Sequence, residues 1–322
     1  MGEQLPPDTI ETHIGSLDII DYRGVAWANV RKTAYLIHQR LQYAYPGEIH
    51  DLRQRLMIVP PERYGGQRLV TYKLEVSSPA YEIERIKNDF GNRVLNLFVA
   101  HVEREIEFTA WIVVERDATA DPVIVPAAER AVRPALRAPA PPGDVFLEST
   151  ILTMPDDVFR SVAATLQAEG GGMLALAERI NLWVHSAMSY AYGITGVRTP
   201  AAAALAAGRG VCQDYAHIML VLCRLCGLPV RYVSGHLLGE GGTHAWVEAL
   251  LPDPTNAGRL IAYPFDPTNG CIPGLKYITV AVGRDYGDVA PTSGTFRAPY
   301  AGHLSAHKRA DITSLEYFPG KN

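Results

Sequence analysis

Three residues in the second half of the chain have the types, and stand at the element ends, that covalent catalysis requires. Cys212 lies in GRGVCQDYAHIMLVLCRLCGLPVRY, in a glycine-rich turn directly before a long apolar run. There it occupies the first turn of a predicted helix, where unpaired backbone N–H groups and the positive end of the helix dipole favour a thiolate. Gly208 and Gly210 allow a sharp turn and leave space for a substrate to approach. His244 opens a predicted strand in GEGGTHAWVEALL, and Asp266 ends another in LIAYPFDPTNG. A thiol, an imidazole and a carboxylate in this order suit acyl transfer: the thiolate attacks, the imidazole moves the proton, and the carboxylate fixes its tautomer.

Each residue also has a plainer role to fill. A histidine opening a strand often serves packing or the surface, and Asp before Pro often forms a turn. Their coincidence in one region, each at an element end, points to chemistry. Cys223 and Cys226 sit inside the apolar helix and Cys271 follows a turn, so packing accounts for them. CRLC has redox spacing but lies at a helix C-terminal end, where the dipole disfavours thiolates. Asp214 reads as a helix cap that works slightly against the thiolate. His217 points about 140° around the helix from Cys212 and reads as a hydrogen-bonded core residue. Alternation along the His244 strand puts Trp246 and Glu248 on the His244 face, which makes Glu248 a reserve acid. The backbone N–H of Cys212 is one oxyanion donor, with Gln213, Tyr190 and Tyr192 the side-chain candidates for a second. Cys212, His236, His244 and Asp266 are ligand types without paired ligand spacing, so no metal is expected, nor any other cofactor. The runs EGGG and GEGG lack the strand-to-helix setting of a phosphate loop.

The elements that must position these residues fall into segments. Residues 1–28 read as an N-terminal extension. Residues 29–117 carry short alternating segments rich in Val, Ile, Tyr and Phe, separated by turn signals, which predicts a small antiparallel β-sandwich. Residues 118–146 turn to Ala and Pro, too proline-rich for a continuous helix, and read as a linker. Residues 147–297 form the predicted catalytic domain. DDVFRSVAATLQAE and MLALAERINLWVHSAMSY have helical spacing, and a third helix runs from Cys212 to Cys226, capped by Gly227. VRYVSGHLL, HAWVEALL and RLIAYPFD then alternate as strands. The fold class is α+β, helices before a sheet, with residues 298–322 as a tail.

Composition narrows the function classes. The chain has 322 residues with net charge −4 and pI near 6.2, so no basic field attracts nucleic acid or anionic lipid. No apolar run approaches the ~20 residues of a membrane span, and the acidic start MGEQLPPDTIETHIG does not resemble a secretory signal. The 4 cysteines do not form a disulfide framework, so a reducing cytoplasmic setting is expected. The expected partner is a peptide or protein substrate.

GRGVCQDYAHIMLVLCRLCGLPVRYVSGHL, THAWVEALLP and FDPTNG together resemble the transglutaminase-like superfamily, in its bacterial branch with an N-terminal β domain. AVGRDYGDVAPTSGTF and the turn Phe90-Gly91-Asn92 resemble the same branch, and the similarity covers about residues 29 to 297. The resemblance implies a papain-like/transglutaminase-like catalytic domain with Cys212 as nucleophile, His244 as general base and acid, and Asp266 as orienting carboxylate. Two departures stand out: the tail SGTFRAPYAGHLSAHKRADITSLEYFPG carries little of the long valine-rich strand expected there, and AYPF replaces the aromatic-glycine lead into the Asp motif. The papain-like glutamine position, six residues before Cys212, holds Ala206, so it supplies no second oxyanion donor. The implied activity is cysteine-dependent acyl transfer at a peptide or carboxamide carbonyl through a thioester, ending in hydrolysis. Alternatives are a protein-glutamine transglutaminase, where an amine replaces water, and a non-catalytic protein-binding module.

Overall fold

The computed structural model describes residues 19–126 and 144–320. The first unit is built from β1 (Val30–Ala44), β2 (Ile49–Leu56), β3 (Arg63–Tyr64), β4 (Gln67–Val76), β5 (Glu82–Lys87), β6 (Arg93–Val102) and β7 (Glu105–Asp117). In β7 the burial alternates along EIEFTAWIVVER, with Ile106, Phe108, Ala110, Ile112 and Val114 all turned inward. That period of two is what a strand with one buried face requires. Tyr35, Ile37 and Leu41 of β1, Leu52 and Leu56 of β2, Leu95 and Leu97 of β6, and this inner row of β7 share one hydrophobic core. The predicted sandwich is therefore present.

After β8 (Ile124–Pro126), the second unit carries α1 (Asp157–Ala168), α2 (Met173–Ala187), β9 (Ser189–Tyr190), α3 (Ala201–Ala207), β10 (Arg209–Gly210) and α4 (Cys212–Leu225). It continues through β11 (Val230–Leu237), β12 (His244–Asp253), β13 (Asn256–Phe265), β14 (Tyr277–Gly283) and the short α5 (Tyr286–Val289). Its sheet has the order β14-β11-β12-β13-β8. Every residue of α4 from Cys212 to Arg224 is buried, packed between α1, α2 and α3 on one side and Ala245, Val247, Ala249 and Leu251 of β12 on the other. Gly227 ends the helix at φ +74°, a conformation that glycine adopts without steric cost. Both ends of α4 are tied down. At its C-terminal end Arg224 donates to the carbonyls of Phe146 (3.2 Å) and Arg284 (2.5 Å) and to the Thr153 hydroxyl (2.8 Å).

Two segments fall elsewhere than the sequence predicts. The final strands, β15 (Thr292–Arg297) and β16 (His303–Tyr317), return to the sandwich, giving sheets ordered β16-β1-β7-β4-β3 and β15-β2-β6-β5. The expected tail thus supplies β16, which pairs with β1 from Val30↔Tyr317 to Ala44↔His303. The expected edge of the catalytic domain at Arg297 likewise falls at the end of a sandwich strand. The physical reason is the long β1, whose free edge would otherwise expose a row of unpaired N–H and C=O groups. Part of the expected linker is also a strand. β8 pairs with β13 at the edge of the catalytic sheet, where Pro126 lacks only an outward N–H. Residues 127–143 of that linker and residues 1–18 of the N-terminal extension lie outside the described residues. Within the extension, Ile20 bridges to Ile312 of β16.

The two units are joined through β14, the edge strand of the second unit's sheet. The Gln67 side-chain amide exchanges both hydrogen bonds with Thr279, and that of Asn92 does the same with Val282, at 2.7 to 2.8 Å. These two amides act as a substitute neighbouring strand for β14. Asn92 is the last residue of the Phe90-Gly91-Asn92 turn, whose Gly91 has φ +78°. Buried in the same interface, Arg231 donates to Glu248 (2.8 Å) and to the Tyr64 hydroxyl (2.7 Å), which itself donates to Glu248. Among the described residues no helix is long and apolar enough to cross a membrane.

The buried Ile312 tests whether β16 belongs to the sandwich core. Ile312→Ala is expected to destabilise the protein by about 2–5 kcal/mol in chemical denaturation. A change below about 0.5 kcal/mol, typical of surface substitutions, would mean that the last strand is not part of that core.

Candidate active site

Cys212 is the first residue of α4 and is 9% exposed. At this position its backbone N–H has no intrahelical acceptor, which leaves it free for an incoming oxyanion. Asp214 organises the turn that presents it. Its carboxylate accepts from the Val211 N–H (2.8 Å) and the Thr195 hydroxyl (2.6 Å). A Cβ on Gly210 would stand 2.4 Å from that carboxylate, so this glycine makes room for Asp214 rather than for a substrate. Gly208, at φ +61°, is the left-handed cap of α3. Both glycines serve the turn itself.

His244 lies across the cleft at the first residue of β12, 1% exposed. Its Nε2 is 2.8 Å from Asp266 Oδ2, and because a carboxylate only accepts, Nε2 carries the hydrogen. Nδ1 therefore faces the cleft. The Cys212 thiol and the Glu240 carboxylate, whose Oε2 is 3.3 Å away, both lie close to it, and in this structure it has no aligned hydrogen-bond partner. Burial acts to lower the His244 pKa. The Asp266 hydrogen bond and charge, with the Cys212 thiol and the Glu240 carboxylate near Nδ1, outweigh burial and hold it well above the ordinary imidazole value. Trp246 stacks near the ring, with centroids 6.3 Å apart and planes 27° from parallel, and Tyr277 flanks it at 5.9 Å. The Trp246 ring needs Gly235 beside it, where a Cβ would come within 2.5 Å of the indole.

Asp266 is fully buried at the end of β13. Oδ2 accepts from His244, from Asn269 Nδ2 (2.7 Å) and from the Tyr277 hydroxyl (2.7 Å). Oδ1 accepts from the backbone N–H groups of Thr268 (2.9 Å) and Asn269 (3.3 Å). Burial would raise the carboxyl pKa, but these donors and the His244 charge bring it below its ordinary value. The turn from Asp266 to Cys271 that delivers the backbone donors is closed by paired bonds between those two residues, 2.9 and 3.2 Å long. Asn269 lies inside the quoted FDPTNG stretch without having been assigned a role, and Tyr277 carried no signal in the sequence. Both are parts of the site.

The structure brings Cys212, His244 and Asp266 together and separates several other candidates from them. Gln213 donates to the Val197 carbonyl at 3.2 Å, which commits its amide away from the nucleophile. Tyr190 sits on β9 beside β10, in edge contact with Tyr192, and is close enough for a Cys212 charge to act on it. Tyr192 is 80% exposed. Glu248 is held by Arg231 and Tyr64 in the domain interface and is no reserve partner for His244. His217 accepts from the Tyr286 N–H (3.2 Å), and burial pushes its pKa down to about 3, with Arg224 adding to the effect. His236 is also buried, without a hydrogen-bond partner on either ring nitrogen. Cys223 is fully buried, and burial raises its thiol pKa. Ligand atoms gather at Glu48, His50 and His101 on the sandwich, remote in sequence from the site. A cavity of about 400 Å³ lined by Trp27, Tyr64, Arg116, Trp246 and Pro273 does not include Cys212 or His244.

Comparison with known proteins agrees with this architecture. Residues 160–258 match the transglutaminase-like superfamily core, and residues 35–115 match the bacterial transglutaminase-like N-terminal region. An uncharacterised protein of Mycobacterium leprae is 42% identical over 124 residues, covering 35% of this chain and 42% of that protein, so less than half of the relative is spanned. An uncharacterised protein of Mycobacterium tuberculosis is 27% identical over 276 residues, 81% of this chain and 86% of that one. A crystal structure from Cytophaga hutchinsonii, named as a candidate cysteine protease, shares the fold with TM-score 0.69 at 21% identity, over 89% of this chain and 93% of that chain. With both the core and the preceding β region matched in order, the chain belongs to the transglutaminase-like superfamily.

Proposed function

We propose that this protein is a cysteine-dependent acyl-transfer enzyme that hydrolyses a peptide or carboxamide bond through a thioester. The observation that carries the reading is the buried His244–Asp266 hydrogen bond of 2.8 Å, which turns Nδ1 toward a thiol at a helix start. The Cys212 thiolate attacks the carbonyl carbon, and the developing oxyanion is stabilised by the Cys212 N–H. The C–N bond breaks as the His244 Nδ1–H donates its proton to the leaving amine. Water then loses a proton to Nδ1 and attacks the thioester, which releases the acid and returns the thiol. A reducing compartment would keep the nucleophile usable, and all four cysteines are unpaired.

Cys212→Ala is expected to lower kcat/KM for amide cleavage by on the order of a thousandfold or more, with the melting temperature near that of wild type. Product analysis with and without an added primary amine separates hydrolysis from amine exchange. Residual turnover within about tenfold of wild type would remove Cys212 from the mechanism.

The sequence suggests that Asp266→Asn would be the mild member of the triad series. The structure changes that expectation. Both carboxylate oxygens accept from at least two donors, so an amide NH₂ in either orientation faces N–H or O–H groups. The variant should therefore lose stability as well as activity. Asp266 holds the His244 pKa above its ordinary value, so the imidazolium survives to higher pH and the alkaline limb of the rate profile lies above ~6.5. In Asp266→Asn that limb should move to lower pH. A limb that stays in place would show that Asp266 does not set the basicity of the ring.

A further inference from the structure

Lys308 comes from β16, the last strand of the sandwich, yet its ammonium ends in the catalytic cleft. Its Nζ donates to the Gly242 carbonyl at 2.6 Å. The next carbonyl in the chain, that of Thr243, lies 3.9 Å from the Cys212 sulfur, and the residue after it is His244. Consecutive carbonyls of one short segment thus touch Lys308 and the nucleophile. Lys308 is half-buried, and its partial burial pushes its pKa down to about 7, against opposing attraction from Cys212 and Glu240. It forms no ion pair with any carboxylate among the described residues.

A half-buried ammonium with one protein acceptor for its three hydrogens has donors left with which to meet an anion that enters the cleft. Two internal groups are near. The Cys212 thiol lies beside the His244 ring. Glu240 is a different case: it is 40% exposed and sits on a glycine loop, Gly239-Glu240-Gly241-Gly242, with Oε2 3.3 Å from His244 Nδ1. A Cβ at Gly241 or Gly242 would meet no neighbouring atom within 4 Å. A carboxylate therefore already occupies the space near His244 and Lys308, on a segment with room to withdraw it. On a chain of net charge −4, a local cation beside the nucleophile sets what can enter the cleft.

We propose that Lys308 is a specificity-determining residue that pairs with a carboxylate on the substrate close to the attacked carbonyl, so that the preferred substrates are acidic peptides. Glu240 holds that place in the free protein and yields it on binding. The proposal rests on the acyl-transfer reading for the identity of the nucleophile. Its chemistry is ion pairing and involves no covalent step.

The test uses internally quenched peptides in matched sets, each position carrying either Glu or Gln, titrated first against the full-length Cys212→Ala protein. Glu members are expected to bind about tenfold or more tighter than their Gln partners, the scale of a hydrogen bond to a charged group. Adding Lys308→Gln should bring that ratio to about one. Lys308→Arg should retain it, and Lys308→Glu should reverse it in favour of the Gln members. No Glu preference in binding, or a preference untouched by Lys308→Gln in a protein with an unchanged melting temperature, overturns the proposal. So does a fall in Cys212 alkylation by iodoacetamide in Lys308→Gln with the ratio intact, because Lys308 would then serve the thiol. Turnover of the same peptides by the wild-type protein reports separately. Turnover without preference leaves the acyl-transfer reading standing, whereas Lys308-dependent preference without turnover removes that reading alone.

Discussion

The site depends on a carboxylate buried where water cannot reach it and surrounded by donors. Asp266 is fully buried, and leaving it ionised there would be prohibitive without partners. Five hydrogen bonds to its two oxygens supply them, and only one of these comes from His244. The remaining four keep the carboxylate charged and fixed before the imidazole meets it. The charge in turn fixes the tautomer of His244 and raises its basicity against the effect of burial. Remove the supporting donors and the carboxyl would tend to protonate, which would give up the electrostatic gain at the ring.

That cage reaches well beyond Cys212, His244 and Asp266. Tyr277 begins β14, an edge strand whose backbone groups at Thr279 and Val282 are met by the side-chain amides of Gln67 and Asn92 from the sandwich. The sandwich thus secures the strand whose first residue donates to Asp266. Trp246, behind His244, packs with Tyr277, and Tyr64 and Phe90 of the sandwich pack against the same cluster. The Arg231–Glu248–Tyr64 network lies in the same interface. Buried ion pairs contribute little net stability, but breaking one leaves an uncompensated charge, so the network fixes how the two units dock. The N-terminal unit is therefore part of the machinery that aligns the site.

What the sequence showed and what it hid follow from the range of the interactions involved. Cys212, His244 and Asp266 were legible because each stands at an element end marked by glycine, a strand onset or proline. The sandwich strands were legible because β7 alternates strictly and the other segments do so in part, with turn signals between them. β16 was not, because it is an edge strand with Ile312 as its single fully buried residue, and HLSAHKRADITSLEY therefore carries no period. Lys308 was hidden for the same reason, since its role comes from a pairing with β1 that spans most of the chain. Tyr277 could be placed only by the crossover that sets β14 beside β11. α3 was also missed: AAAALAA has strong helix propensity but too few large residues to show a face.

The start of α4 presents an apparent conflict, since a carboxylate two residues from the nucleophile should oppose a thiolate. The geometry moderates it. Asp214 turns back toward the glycine turn, where the Val211 N–H and the Thr195 hydroxyl take up one of its oxygens. Burial raises its pKa against the opposing effect of those bonds. The backbone donor it accepts precedes Cys212, so the N–H of Cys212 itself stays available at the helix start. Gly210 is the residue that permits this arrangement, because any side chain there would drive the carboxylate out of the turn. The glycine-rich approach to Cys212 thus gives the Asp214 carboxylate its own donors inside the turn and leaves the Cys212 N–H without an intrahelical acceptor at the helix start.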